Sequence, residues 1–76
     1  MERVLEILEG IKEGVDFELE NALIDDDIIE SLDLMQLISD LESEFDVEIE
    51  MDEIVPENFN SAEAIYDMIK RLQEEA

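Results

Sequence analysis

Leu34, Leu37, Ile38, Leu41 and Phe45 recur at spacings of three and four residues, which puts them on one side of an α-helix as a single buried stripe. No other segment holds a period so well, so the fold has to be assembled around this helix. Ser31 stands just before the stripe. Serine is a good N-cap, because its hydroxyl accepts from the backbone N–H two or three residues on, and Asp33 adds negative charge where the helix dipole favours it. A helix capped by Ser31 is therefore expected.

An earlier helix is expected over Glu2 to Glu13, where Val4, Leu5, Ile7, Leu8 and Ile11 form a second stripe and Gly14 supplies a stop. From Val15 to Glu30 the period is lost. A long loop is expected there, pinned to the core by Phe17, Leu19, Leu23 and Ile24. After the central helix, Val47, Ile49 and Met51 alternate with Glu48, Glu50 and Asp52. Alternation suits an extended segment. With no partner strand in view it is read as a linker, a strand being the alternative, running into a short helical turn over Asp52 to Val55 that Pro56 stops.

Asn60 with Glu63 reads as a capping box, and Phe59 is placed to staple onto Ala64. Ile65, Met68, Ile69 and Leu72 then mark the stripe of a last helix, with Lys70 and Arg71 near its end. The expected fold is all-α: a four-helix bundle of three longer helices and one short one, with a long loop between the first two. Residues 1–76 make a single domain, large enough for one thin core that hides about 60% of the unfolded surface.

Twenty-five acidic residues face four basic ones, a formal net charge of -21. That field repels phosphate backbones and anionic lipid, so neither nucleic acid nor a membrane is an expected partner, and it favours a monomer. Proteins with basic docking patches are the partners it attracts. Histidine, cysteine and tryptophan are all missing. Without histidine there is no ready general base at neutral pH, and without cysteine no disulfide framework or thiolate metal site. No apolar run reaches the roughly 20 residues of a membrane span, and the start of the chain lacks the pattern of a signal peptide, so a cytoplasmic setting is expected.

On a helical wheel, Leu32 and Met35 fall roughly 160° and 100° from the centre of the central stripe. Both are expected in solvent beside Ser31. A small apolar patch with an acidic rim suits docking to a basic partner; the plainer alternative is an ordinary exposed leucine beside a serine that only caps. The acids Asp25, Asp26, Asp27, Glu30 and Asp33 lack the glycine and final glutamate of a calcium loop. No pair of carboxylates is marked for acid–base work, and no phosphate-binding glycine loop, zinc spacing or hydrolase elbow occurs. No catalytic residue and no metal site is expected, so any reactive group has to be added to the chain.

Glu30-Ser31-Leu32-Asp33-Leu34, Leu37-Ile38, and the run Asp40-Leu41-Glu42-Ser43-Glu44-Phe45-Asp46-Val47-Glu48-Ile49 closely resemble acyl and peptidyl carrier proteins. The likeness covers about Val4 to Leu72. It implies a four-helix acyl-carrier-like bundle that is not an enzyme. It also implies a covalent 4'-phosphopantetheine on Ser31, added by a phosphopantetheinyl transferase and carrying an acyl or aminoacyl group as a thioester. The other implied partners are an acyl- or aminoacyl-activating ligase and a downstream acyltransferase. Leu32 and Met35 would enter such partners, with Glu30, Asp33, Asp40 and Glu42 facing their basic rims.

A narrower likeness, through Leu23 to Ser31 and Asn58-Phe59-Asn60-Ser61, is to D-alanyl carrier proteins and similar acidic stand-alone carriers. Two positions depart from the pattern: Glu30, where the family generally has aspartate before the serine, and Asp27, where D-alanyl carriers usually have glycine. In the family the acid before the serine helps the transferase and its magnesium ion engage. At Asp27 the backbone turn has to be left-handed without glycine, which aspartate tolerates better than most residues. The alternative function is a helical adaptor that binds a basic protein without a prosthetic group; a small acid-dependent hydrolase is a distant third.

Overall fold

The two stripes and the last one do form helices. The computed structural model describes residues 2–75 and shows α1 (Glu2–Ile11), α2 (Ser31–Phe45), a single 3-10 turn (Met51–Glu53), α3 (Pro56–Phe59) and α4 (Ala62–Glu75). No strand occurs among the described residues. Met1 and Ala76, the ends of the expected domain, lie outside them. α1 and α4 pack on each other and on α2, and α3 packs on α4. Val4, Leu8, Leu37, Leu41, Ile65 and Ile69 meet in the centre, each almost wholly buried.

Ion pairs at both ends of α1 show its direction against α2. Arg3 at its start is bonded to Glu44 near the end of α2, and Lys12 just past its end lies 3.7 Å from Asp33 in the first turn of α2. The two helices therefore run antiparallel. α1 ends at Ile11, short of the expected Glu13, and Gly14 (φ 80°) takes a left-handed turn three residues further on rather than stopping the helix itself.

The loop from Val15 to Glu30 is anchored, but by a different set of residues than its composition implies. Phe17, Leu23 and Ile29 are buried, whereas Leu19 is 79% exposed. An aperiodic segment gives no wheel on which to sort inward from outward apolar residues. Asn60 holds the loop from the far side of the chain. Its carbonyl accepts from the Leu23 N–H at 2.9 Å, its Oδ1 from the Ile24 and Asp25 N–H groups at 3.0 and 3.1 Å, and its Nδ2 donates to Asp25 Oδ2 at 3.2 Å. Asp27 takes the left-handed conformation at φ 57°, so the turn expected there forms with aspartate.

Three caps or stops fall elsewhere than expected. Glu30, not Ser31, is the N-cap of α2, and its N–H donates to Asp33 Oδ2 at 3.5 Å. Ser61, not Asn60, caps α4, its Oγ accepting from the Ala64 N–H at 3.0 Å; Asn60 is drawn away by the loop and ends α3 instead. Pro56 starts α3 at its first position rather than stopping a helix over Asp52 to Val55. Proline fits there because its missing N–H has no helical partner to lose. After a left-handed turn at Asp46 (φ 52°), residues 47–50 form neither helix nor strand, and the Ile49 N–H donates to Glu42 Oε2 at 2.9 Å.

Arg71 on α4 clasps the segment that follows, donating to both oxygens of Glu53 at 3.0 and 2.5 Å. Asn58 Nδ2 donates to the Glu53 carbonyl at 2.7 Å. The hydrogen bonds from Arg71 hold the Glu53 carboxyl below the usual carboxylate range, against the partial burial that would raise it. The stability this supplies is present above the ordinary carboxylate pKa and is lost as pH falls through the lowered one.

Cations are so few that their staples cannot balance the acids. Added salt weakens these exposed pairs slightly, since such pairs are worth little, but it screens repulsion among twenty-five acids. Repulsion is the larger effect. The melting temperature is expected to rise by about 10 °C between 10 mM and 0.2 M sodium chloride, the equivalent of about 2 kcal/mol for a domain of this size. A scanning-calorimetry series that stays flat or falls with salt would show that the acids do not strain the fold.

Candidate functional site

The exposed end of α2 follows directly from where the cap falls. Because Glu30 leaves helical geometry (φ -89°, ψ 174°), Ser31 is the first helical residue and capping does not occupy its hydroxyl. Leu34 N–H closes the first turn on the Glu30 carbonyl at 2.8 Å. Ser31 is exposed, and an open depression around it is lined by Glu30, Ser31, Leu32 and Asp33 alone. Nothing stands between the hydroxyl and a reagent arriving from solvent.

Leu32 and Met35 are 80% and 68% exposed, on the side of α2 that the wheel assigns them. Glu30 and Asp33 flank them, Asp33 being half-buried against Lys12. The other two sequence candidates lie apart. Asp40 accepts from Gln36 Nε2 at 2.9 Å and lines the depression between α1 and α2 together with Arg3 and Glu44. Glu42 is half-buried, and its carboxylate is engaged by the Ile49 N–H. Four of the six proposed contact residues thus gather at Ser31, while Asp40 is bonded within α2 and Glu42 holds the segment that follows it.

Sequence reading passed over Gln36, Ser39 and Ser43. They are exposed and continue the Leu32–Met35 side along α2, giving an uncharged strip in a chain where 25 of 76 residues are acidic. The signal was available, since at about 100° per residue all five fall within one arc of the wheel. What hid it is that serine and glutamine are unremarkable on any exposed helix face.

Comparison with known families says what kind of domain this is. Residues 3–69 match the family model described as the phosphopantetheine attachment site. The chain belongs to that family. As one of its carrier domains it holds a covalent 4'-phosphopantetheine and is a carrier rather than an enzyme, with phosphopantetheinyl transferases and biosynthetic enzymes as its general partners. No curated protein and no solved structure matches the carrier domain significantly.

The site's geometry fits such a group. An exposed hydroxyl, free of capping and bordered by an open depression, can be esterified without disturbing the core. When attached, the group supplies the thiol that a cysteine-free carrier otherwise lacks. Among the described residues no set of acids is arranged to hold a metal ion, and no helix is long and apolar enough to cross a membrane.

Proposed function

We propose that Ser31 bears the phosphopantetheine arm and that residues 1–76 act as one cytoplasmic, monomeric carrier domain delivering an acyl or aminoacyl group between partner enzymes. A D-alanyl group is the proposed cargo subtype. The observation that carries the assignment to Ser31 is the cap at Glu30, which leaves an exposed hydroxyl at the first position of α2. The chain positions and presents. Docking lets the arm reach a partner's active site at high effective concentration, and the carrier then leaves.

Leu32 and Met35, followed by the uncharged strip of Gln36, Ser39 and Ser43, form the proposed landing surface for the transferase, the activating ligase and the downstream acyltransferase. Glu30 and Asp33 present charge to their basic patches at its head, with Asp40 and Glu42 as outlying acids. The D-alanyl reading is supported by the Asn60 tie to Leu23, Ile24 and Asp25, which joins the two segments that carry that resemblance.

The test is an intact mass spectrum after incubation with coenzyme A and a broad-range phosphopantetheinyl transferase. One phosphopantetheinyl unit is expected, and peptide mapping is expected to find it at Ser31. A mass that does not change would reject the assignment. The D-alanyl subtype is tested separately by offering the holo protein D-alanine or a fatty acid with the matching activating ligase.

Met35→Glu is expected to slow loading at least tenfold, about 1.4 kcal/mol of docking energy, with the melting temperature unchanged because the side chain is solvated. Initial rates of adduct formation, followed by mass, check this. An unaltered rate would take Met35 out of the landing surface.

A further inference from the structure

A phosphodiester on Ser31 would introduce an anion beside two carboxylates, Glu30 and Asp33. The dipole of α2 offsets part of that charge, being worth about half an elementary charge at the helix N-terminus. Of side-chain cations that can add to this beyond water and salt, the chain has four. Arg3 is bonded to Glu6 and Glu44, at the opposite end of α2 and about 20 Å from Ser31 at 1.5 Å per residue. Arg71 is committed to Glu53 on the 3-10 turn and lies near Glu75. Lys70 sits over the Tyr66 ring on α4, 5.6 Å from its centre.

Lys12 is placed differently. Its Nζ lies 3.7 Å from Asp33 Oδ2, the same oxygen that accepts from the Glu30 N–H. One carboxylate therefore separates the ammonium from the amide immediately before Ser31. The pair is loose, longer than a direct hydrogen bond, and the lysine side chain is 38% exposed. A compact charge on a flexible four-carbon stem can lean toward a second anion without losing the first.

We propose that Lys12 is the counter-ion of the phosphodiester, shared between Asp33 and the phosphate, and so positions the root of the arm at the head of α2. The inference rests on Ser31 being the attachment residue. It makes Lys12 a positioning residue whose partner changes between apo and holo forms, and it explains why a chain so poor in cations keeps one at this end.

The chain contains only two lysines, Lys12 and Lys70, so a 1H–15N correlation spectrum holds two lysine side-chain ammonium signals. On conversion of the full chain from apo to holo, the Lys12 signal is expected to move and the Lys70 signal to stay. In a melting cycle, modification is expected to lower the melting temperature of Lys12→Gln by about 4 °C more than that of the wild type. Arg3→Gln removes the same charge from the far end and is expected to match the wild-type difference.

A Lys12 signal unmoved by modification, or equal melting differences in Lys12→Gln and wild type, overturns the inference. The wild-type spectrum decides the matter if the variant does not fold. Intact mass, read first, separates the two readings: an adduct with an unmoved Lys12 signal rejects the counter-ion alone, whereas absence of an adduct rejects Ser31 and Lys12 together.

Discussion

Ser31→Ala is expected to abolish the phosphopantetheine adduct completely while leaving the melting temperature within about 2 °C of the wild type. The two halves of this result come from one structural detail. Had Ser31 been the N-cap, alanine would remove a hydrogen bond to the first turn and cost about 0.5–2 kcal/mol. Glu30 holds that position instead, with its N–H bonded to Asp33, so the substitution falls at the first helical residue and removes no capping hydrogen bond. Loss of loading can then be attributed to the missing oxygen and not to a damaged helix. Mass spectrometry and thermal unfolding read the two halves independently. An adduct that persists on Ser39, Ser43 or Ser61 would move the attachment site, and a drop of many degrees would return the cap to Ser31.

Phe59→Ala is expected to remove about 3–5 kcal/mol, the range for a buried phenylalanine cut back to alanine. The domain has little in reserve, since stabilities of about 0.05–0.15 kcal/mol per residue give it roughly 4–11 kcal/mol in all. Phe59 is 1% exposed and closes α3, a helix of four residues that cannot persist by its own hydrogen bonds. With Ile24, Leu34 and Pro56 it also lines the small apolar cleft between the loop, the head of α2 and α3. Its loss therefore loosens three segments at once. Urea unfolding followed by circular dichroism measures the effect, and Phe59→Leu is expected to cost less than the alanine variant because it leaves a smaller cavity. A loss below about 1 kcal/mol for the alanine variant would mean that α3 is held by something else.

Helices α1, α2 and α4 were legible because each buries a stripe, and a stripe is a one-dimensional pattern. The exposure of Leu32 and Met35 was legible for the same reason, as the complement of the α2 stripe. What failed was punctuation. Ser31 and Asn60 are both good caps by side-chain chemistry, yet each stands one residue from the cap that forms. For Asn60 the cause is tertiary: its amide is occupied by backbone 35 and 36 residues away, a pull no local motif reveals. Pro56 is equally suited to ending one helix and beginning another, and only the burial of Phe59 just after it decides between them. Leu19 was misplaced because an irregular loop has no period. Lys12 was overlooked as one lysine among many acids, until its place opposite Asp33 gave it a neighbour.

The contacts of Asn60 enclose the whole of α2 in a ring of some three dozen residues, fastened by a side-chain amide and a carbonyl. In a protein with cysteines a crosslink between sulfurs would play this part and would answer to the redox state of its surroundings. Here the clasp is made of hydrogen bonds, which can open and reclose without any covalent step. The segment leading into Ser31 is thereby fastened to the corner between α3 and α4, so that whatever displaces one carries the other with it.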